Sequence, residues 1–254
     1  MLEGKKFAVF NVANKKSIAW AIAQSITKLG GEVIIGYQNE RLRENVEELI
    51  TELPKKPFIV ECDASEDENI EKVAEEIEKN VGKIDGFVHS IAYAPSDALK
   101  NPFIQTTKDA FLTTMDISVY SFVAMTRIFK RILNTPASIV TLTYYGSEKV
   151  IPNYNVMGVA KAALEASIRY SAYELGGENI RVNAISAGPL STLAARGISR
   201  FTDMLSYHKE RAPLQRNIEY REVGDTAAFL LSELSSGITG EIIYVDAGYN
   251  IMGM

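Results

Sequence analysis

Tyr144, Tyr154 and Lys161 are the residues of this 254-residue chain whose types and spacing best suit proton and anion chemistry. Tyr154 and Lys161 stand seven positions apart, so on a helix they share a face, about 10 Å apart along the axis. A phenol with a pKa of ~10 is a poor acid at neutral pH but a good hydrogen-bond donor. A lysine beside it can hold a ribose, and its charge favours an anion forming on an oxygen bound to the phenol. The spacing alone is common, and the bland alternative is a tyrosine that opens a helix and a lysine in solvent. The pair gains weight from its setting, a strand followed by a loop and a helix.

Further candidates lie just past other apolar runs. Asn11 ends the first run. Ser17 precedes Ile18-Ala19-Trp20 and suits a helix N-cap, whose hydroxyl and neighbouring amides could take phosphate oxygens. No glycine fingerprint accompanies it, and capping alone would explain it equally well. After the second run, Tyr37-Gln38-Asn39-Glu40-Arg41 falls where a dinucleotide fold places the adenine-side ribose. Gln38 is neutral and can accept from a 2′-hydroxyl, which favours NADH, while Arg41 leaves NADPH open. Asp63 and Ala64 offer a carboxylate and a small residue near an adenine. Ser90, Ile91 and Ala92 suit a backbone passing close to a cofactor. His89 and His208 have no partners at ligand spacing and read as structural or exposed. Cys62 reads as core. One cysteine and two histidines provide neither a disulfide nor a metal set.

Seven short apolar runs must carry these residues: Lys6–Val12, Gly31–Tyr37, Pro57–Cys62, Ile84–Ser90, Ser138–Tyr144, Ile180–Ser186 and Glu241–Asp246. Segments of helical period separate them: Ser17–Leu29, Arg41–Glu52, Asn69–Val81, Lys108–Leu133, Tyr154–Gly176 and Glu222–Glu233. The alternation predicts an α/β fold, a Rossmann-type doubly wound parallel seven-stranded sheet with helices on both faces. Ligands then bind beyond the carboxyl ends of the strands. No linker divides the chain, so residues 1–254 are expected to form one domain, with an irregular lid segment at about Gly188–Leu214. A net charge of -5 gives no general reason to bind nucleic acid or an anionic membrane. The absence of a leader-like start and of a bilayer-spanning run leads to the expectation of a cytoplasmic protein.

Taken together, these residues resemble the short-chain dehydrogenase/reductase superfamily and, within it, the enoyl-acyl-carrier-protein reductases of type II fatty-acid synthesis. The resemblance is carried by Val12-Ala13-Asn14 with Ser17-Ile18-Ala19-Trp20, by Cys62-Asp63 and by His89-Ser90-Ile91-Ala92. Most specific are LTYYGSEKVIPNYNVMGVAKAALEAS (142–167), RVNAISAGPLSTLAARGI (181–198) and the C-terminal GEIIYVDAGYNIMGM. General superfamily members have a catalytic serine ahead of a tyrosine and lysine four apart, a pattern absent here. The nearest rivals are a carbonyl reductase on the same scaffold and a catalytically silent nucleotide-binding protein.

The resemblance implies NADH-dependent reduction of the trans-2 double bond of an enoyl-acyl-carrier-protein thioester in fatty-acid elongation. Tyr154 would hydrogen-bond the thioester oxygen and Lys161 would hold the nicotinamide ribose. Tyr144 would line the acyl pocket with Ala92, Ile91 would pack near the nicotinamide, and Leu190 and Thr192 would cover it. A homotetramer is implied, with Lys108–Leu133 and Tyr154–Gly176 as interface elements. The chain departs from its relatives at Asn11, where glycine is usual. Asparagine tolerates left-handed backbone, but its side chain is expected to crowd the cofactor phosphates and weaken affinity. Docking of an acidic carrier would fall to Arg196 and Arg200, with Lys209 and Arg211 compensating for Thr202 and Asp203.

Overall fold

Runs rich in Val, Ile and Phe fold as strands because their branched side chains fit a surface buried on both faces. In the computed structural model, which describes residues 1–192, 195 and 201–253, the first half runs β1 (Lys6–Val9), α1 (Ile18–Lys28), β2 (Glu32–Tyr37), α2 (Glu40–Leu49), β3 (Phe58–Glu61), α3 (Asp67–Asn80) and β4 (Ile84–His89). Then come α4 (Ser96–Lys100), α5 (Lys108–Met115), α6 (Ser121–Phe129), β5 (Leu133–Thr143) and α7 (Val156–Gly176). The chain ends with β6 (Ile180–Ala187), α8 (Phe201–Arg211), α9 (Tyr220–Leu231) and β7 (Ile242–Val245). The strands make one parallel seven-stranded sheet in the order β3-β2-β1-β4-β5-β6-β7. The order reverses at β1, which opens a crevice between the ends of β1 and β4.

Alternation along β1 divides the core. Ala8, with Phe10 just beyond the strand, faces the layer of α3, α6 and α7, whereas Phe7 and Val9 face α1, α2 and α9. Phe10 meets Phe129 edge-on at 5.3 Å, and Trp20 is buried in the opposite layer. Burial of each such side chain contributes roughly 1.5–3 kcal/mol. The helices α1 and α9 approach closely because position 224 is glycine: a Cβ there would stand 2.6 Å from the Ala21 carbonyl oxygen. Next to it, Ser25 Oγ donates to Asp225 Oδ1 at 2.9 Å.

All seven expected strands are present, and the corrections lie in their surroundings. The single helix expected over Lys108–Leu133 is two helices, α5 and α6, joined by a wider π-helical turn at Asp116–Tyr120. That turn presents Ser118 Oγ to the backbone N and O of Tyr93, both at 3.0 Å, and so ties it to the loop after β4. β5 begins at Leu133, five residues earlier than expected, because Pro136 cannot continue a helix and drives its predecessor extended. The last expected helix begins at Tyr220, two residues earlier than expected, behind a reciprocal Glu219–Glu222 capping box.

Two corrections bear on the site. The segment expected to be irregular over Gly188–Leu214 contains α8, whose polar sequence FTDMLSYHKER shows little apolar period. It is anchored by His208, which is buried and stacks on Tyr249 at 4.9 Å. Tyr154 is not helical. Asn153 and Asn155 both have positive φ, and α7 starts at Val156. Asparagine is among the side chains that best tolerate that backbone, and Asn155 Nδ2 secures the turn by donating to the Asn101 carbonyl at 2.9 Å.

Candidate active site

A parallel sheet places the residue after every strand on one rim. Across it stand Asp63 and Ala64 beyond β3, Gln38 beyond β2, Asn11 beyond β1 with Ser17 and Ile18 at the start of α1, and Ser90, Ile91 and Ala92 beyond β4. Tyr144 follows β5, with Tyr154 just before α7 and Lys161 on it, and Leu190 and Thr192 follow β6. Backbone bonds continue the ladders into the rim: Cys62 N to Tyr37 O at 2.7 Å, Val12 N to Gly36 O at 3.0 Å, and Phe10 N to Val88 O at 3.1 Å.

Asn11 has φ of 68°, the left-handed geometry its position requires. Its side chain has a partner: Nδ2 donates to the Ser90 carbonyl at 2.8 Å and bridges the crevice between β1 and β4. Ser17 occupies the N-cap position of α1 but does not cap it. Its hydroxyl accepts from the amides of Ala13 and Asn14, both at 3.3 Å, and donates to Asn14 O, closing the preceding loop. The amides of Ile18 and Ala19 consequently have no acceptor among the described residues, and a helix N-terminus with free amides suits an anion.

Further along, Gln38 is exposed, while the neighbouring Asn39 has a buried Oδ1 with no partner. Asp63 Oδ1 is held by the amide and hydroxyl of Ser65 at 3.1 and 2.7 Å. Ala64 is buried, and Ile91 and Ala92 pack against the core. Leu190 is buried, and Thr192 closes a turn by bonding its amide to Leu190 O at 2.8 Å and accepting from Ala195 N at 3.1 Å.

The tyrosines converge. Their ring centroids lie 5.0 Å apart at 74°, an edge-on pair. Gly146 makes room, since a Cβ there would sit 2.5 Å from the Tyr154 ring. Tyr154 Oη has no hydrogen-bond partner among the described residues, and Tyr144 Oη donates to Met204 Sδ of α8 at 3.4 Å. Burial pushes both phenols upward, so they stay protonated and act as donors. Lys161 is buried, and its Nζ donates to Leu142 O at 2.8 Å, which leaves two ammonium hydrogens without an acceptor among the described residues. Burial lowers it to about 8, opposed by the charge of Glu165. On the β5 side, Thr143 Oγ1 donates to Glu165 Oε1 at 2.6 Å, both groups being buried.

His89 lies beneath the rim as a core residue, bonded to Thr141 Oγ1 at 3.0 Å and Ser121 Oγ at 2.8 Å. Burial, with the nearby Lys161, lowers it to about 3 and keeps it neutral. Cys62 is likewise core, its thiol pushed up to about 12 by burial. Met204, Asn39, Thr143 and Glu165 were not legible as site residues. Glu165 alone carried a signal, its place four residues after Lys161 on one helix face.

The unpaired groups suit a dinucleotide: free amides at α1 for phosphate oxygens, an orphaned acceptor near the ribose position, and a buried ammonium with hydrogens to spare. The chain matches the family model described as enoyl-(acyl carrier protein) reductase over residues 12–250. It is 48% identical to the NADH enoyl-acyl-carrier-protein reductase of Bacillus cereus, covering all of this chain and 99% of that protein. It is 49% identical to the enzyme numbered 1 of the same name in Rhizobium meliloti, covering all of this chain and 93% of that one. A crystal structure of the Bacillus cereus enzyme with NADP+ and indole naphthyridinone superposes with a TM-score of 0.98 at 48% identity, covering both chains completely. On this full-length agreement of sequence and fold, the chain belongs to the enoyl-acyl-carrier-protein reductase family.

Proposed function

We propose that this chain reduces the trans-2 double bond of enoyl-acyl-carrier-protein thioesters in fatty-acid elongation, with NADH as reductant. The observation that carries this reading is the edge-on pair of protonated phenols, Tyr144 and Tyr154, beside the buried ammonium of Lys161. NADH bound along the rim supplies the hydride for the β-carbon. Negative charge then gathers on the thioester oxygen. Tyr154, whose hydroxyl has no partner among the described residues, hydrogen-bonds that oxygen, and Lys161 holds the nicotinamide ribose through its two spare hydrogens. Tyr144, with Ala92, lines the acyl side. A preorganised donor of this kind contributes roughly 3–4 kcal/mol to the reaction.

The Ile18 and Ala19 amides hold the phosphates, with Ser17 shaping their loop and Asn11 fixing the Ser90 carbonyl. Gln38 and Asp63–Ala64 receive the adenosine end, and neutral Gln38 favours NADH over NADPH. Ile91, Leu190 and Thr192 enclose the nicotinamide. Residues 188–214 act as a lid over one domain of 254 residues, α8 closing on the site where Met204 meets Tyr144. Of the cations assigned to carrier docking, Arg196 and Arg200 lie outside the described residues. Lys209 is exposed, whereas Arg211 sits 3.7 Å over the Tyr207 ring. No helix among the described residues is long and apolar enough to cross a membrane, and the reading places the enzyme in the cytoplasm.

Absorbance at 340 nm with purified protein, NADH and crotonyl-coenzyme A tests the reading, with NADPH and acetoacetyl-coenzyme A in parallel. NADH is expected to be consumed with the enoyl ester alone, and Tyr154→Phe to lower kcat by about 10²–10³. Consumption with the acetoacetyl ester instead would favour the carbonyl reductase.

A further inference from the structure

Glu165 is a buried carboxylate with no part in the reaction as described above. It lies one helical turn beyond Lys161 on α7 and is 7% exposed, so ionising it there needs compensation. One compensating bond is the 2.6 Å hydrogen bond from Thr143 Oγ1. Lys161 meanwhile donates to Leu142 O. Two consecutive residues at the end of β5, immediately before Tyr144, are thus fastened to two groups of opposite charge on α7. The ionisable groups facing this pair are His89 near Lys161, and Tyr154 and Tyr244 near Glu165. His89 is neutral, and burial pushes both tyrosines upward, so neither phenol carries charge at neutral pH.

We propose that Glu165 is a positioning residue for the reduction: anchored by Thr143, its carboxylate supplies the buried negative charge that balances the Lys161 ammonium one helical turn away on α7. The inference rests on the functional reading above. Without Glu165, Lys161 would be a solitary buried cation, and burial would favour its neutral amine. An amine still reaches a ribose hydroxyl, but it no longer balances charge forming on the thioester oxygen. Glu165 therefore acts through Lys161 and touches no reacting atom.

The test compares pH profiles of kcat and of the Michaelis constant for NADH in wild type, Glu165→Gln and Glu165→Asp, using crotonyl-coenzyme A. In E165Q the alkaline limb of kcat is expected to move down by about one pH unit, with kcat at pH 8 falling more than the Michaelis constant rises. E165D, which keeps the charge, should restore most of the limb. A wild-type limb in E165Q, or an equal displacement in E165D, would overturn the inference. Should E165Q fail to fold, carboxyl carbon-13 spectra of the wild-type enzyme, assigned by difference from E165D, decide the matter. An ionised Glu165 at pH 7 is required, and a protonated one overturns the proposal. An inactive wild type would count against the functional reading itself, whereas an active wild type with an indifferent E165Q would count against Glu165 alone.

Discussion

Among the described residues Lys161 is the one lysine or arginine that is buried, and its protonation governs what the site can do. Burial disfavours the charged form and lowers it to about 8, with Glu165 opposing the shift. A group depressed in this way loses its proton as pH rises through its folded value, so the charge is present below about 8 and lost above it. kcat/KM for crotonyl-coenzyme A should fall above about pH 8, approaching roughly a tenfold loss per pH unit. His89, lowered to about 3, contributes no limb on the acid side of neutrality. A flat profile from pH 7 to 10 would contradict the role given to the ammonium. The tyrosine–lysine pair was legible from its spacing within a strand, loop and helix, although the helical face expected for it does not include Tyr154, which lies before α7. The edge-on contact of Tyr144 with Tyr154 was not, since it depends on two left-handed asparagines and on Gly146.

Elements act here by fixing the loops between them. Asn11 shows how: its strand end needs positive φ, and its side chain then ties the β1 loop to the β4 loop through the Ser90 carbonyl. The amide is occupied in that bond, so the crowding expected from sequence gives way to a clamp. Asn11→Gly keeps the backbone geometry and removes the clamp, and should raise the Michaelis constant for NADH about fivefold, the equivalent of one hydrogen bond. A lower constant in the glycine variant would restore the crowding view. Strand positions were readable because buried parallel strands are continuous apolar runs. The break between α5 and α6 and the existence of α8 were not. The π-helical turn DISVY holds no glycine or proline to mark a break, and α8 owes its place to the stacking of His208 on Tyr249 rather than to an apolar face.

At the scale of the molecule, the sheet gathers the site onto one rim and leaves apolar surface elsewhere. α7 exposes Tyr170 and Tyr173 at 73% and 86%, and Leu112, Tyr120 and Val123 are exposed on and between α5 and α6. Exposed aromatic and aliphatic groups on neighbouring helices suit an association surface, and the homotetramer that the sequence resemblance implies would be built on these two faces. Light scattering should give a mass about four times 28.1 kDa. Tyr170→Asp with Tyr173→Asp should shift it to smaller species, and a monomeric wild type would contradict the assignment. The fold class was legible from the alternation of runs. The resemblance had already pointed to these helices as interface elements, but which of their side chains are exposed was not legible, because exposure is decided only when the helices are packed.

The central claim, that these residues guide hydride to the β-carbon of an enoyl thioester, is tested most directly by following the label. Crotonyl-coenzyme A reduced with NADH carrying deuterium at the transferred C4 position should yield butyryl product with deuterium at C3 and a solvent proton at C2, as read by NMR. Deuterium at C2, or a reduced carbonyl with the double bond intact, would contradict it.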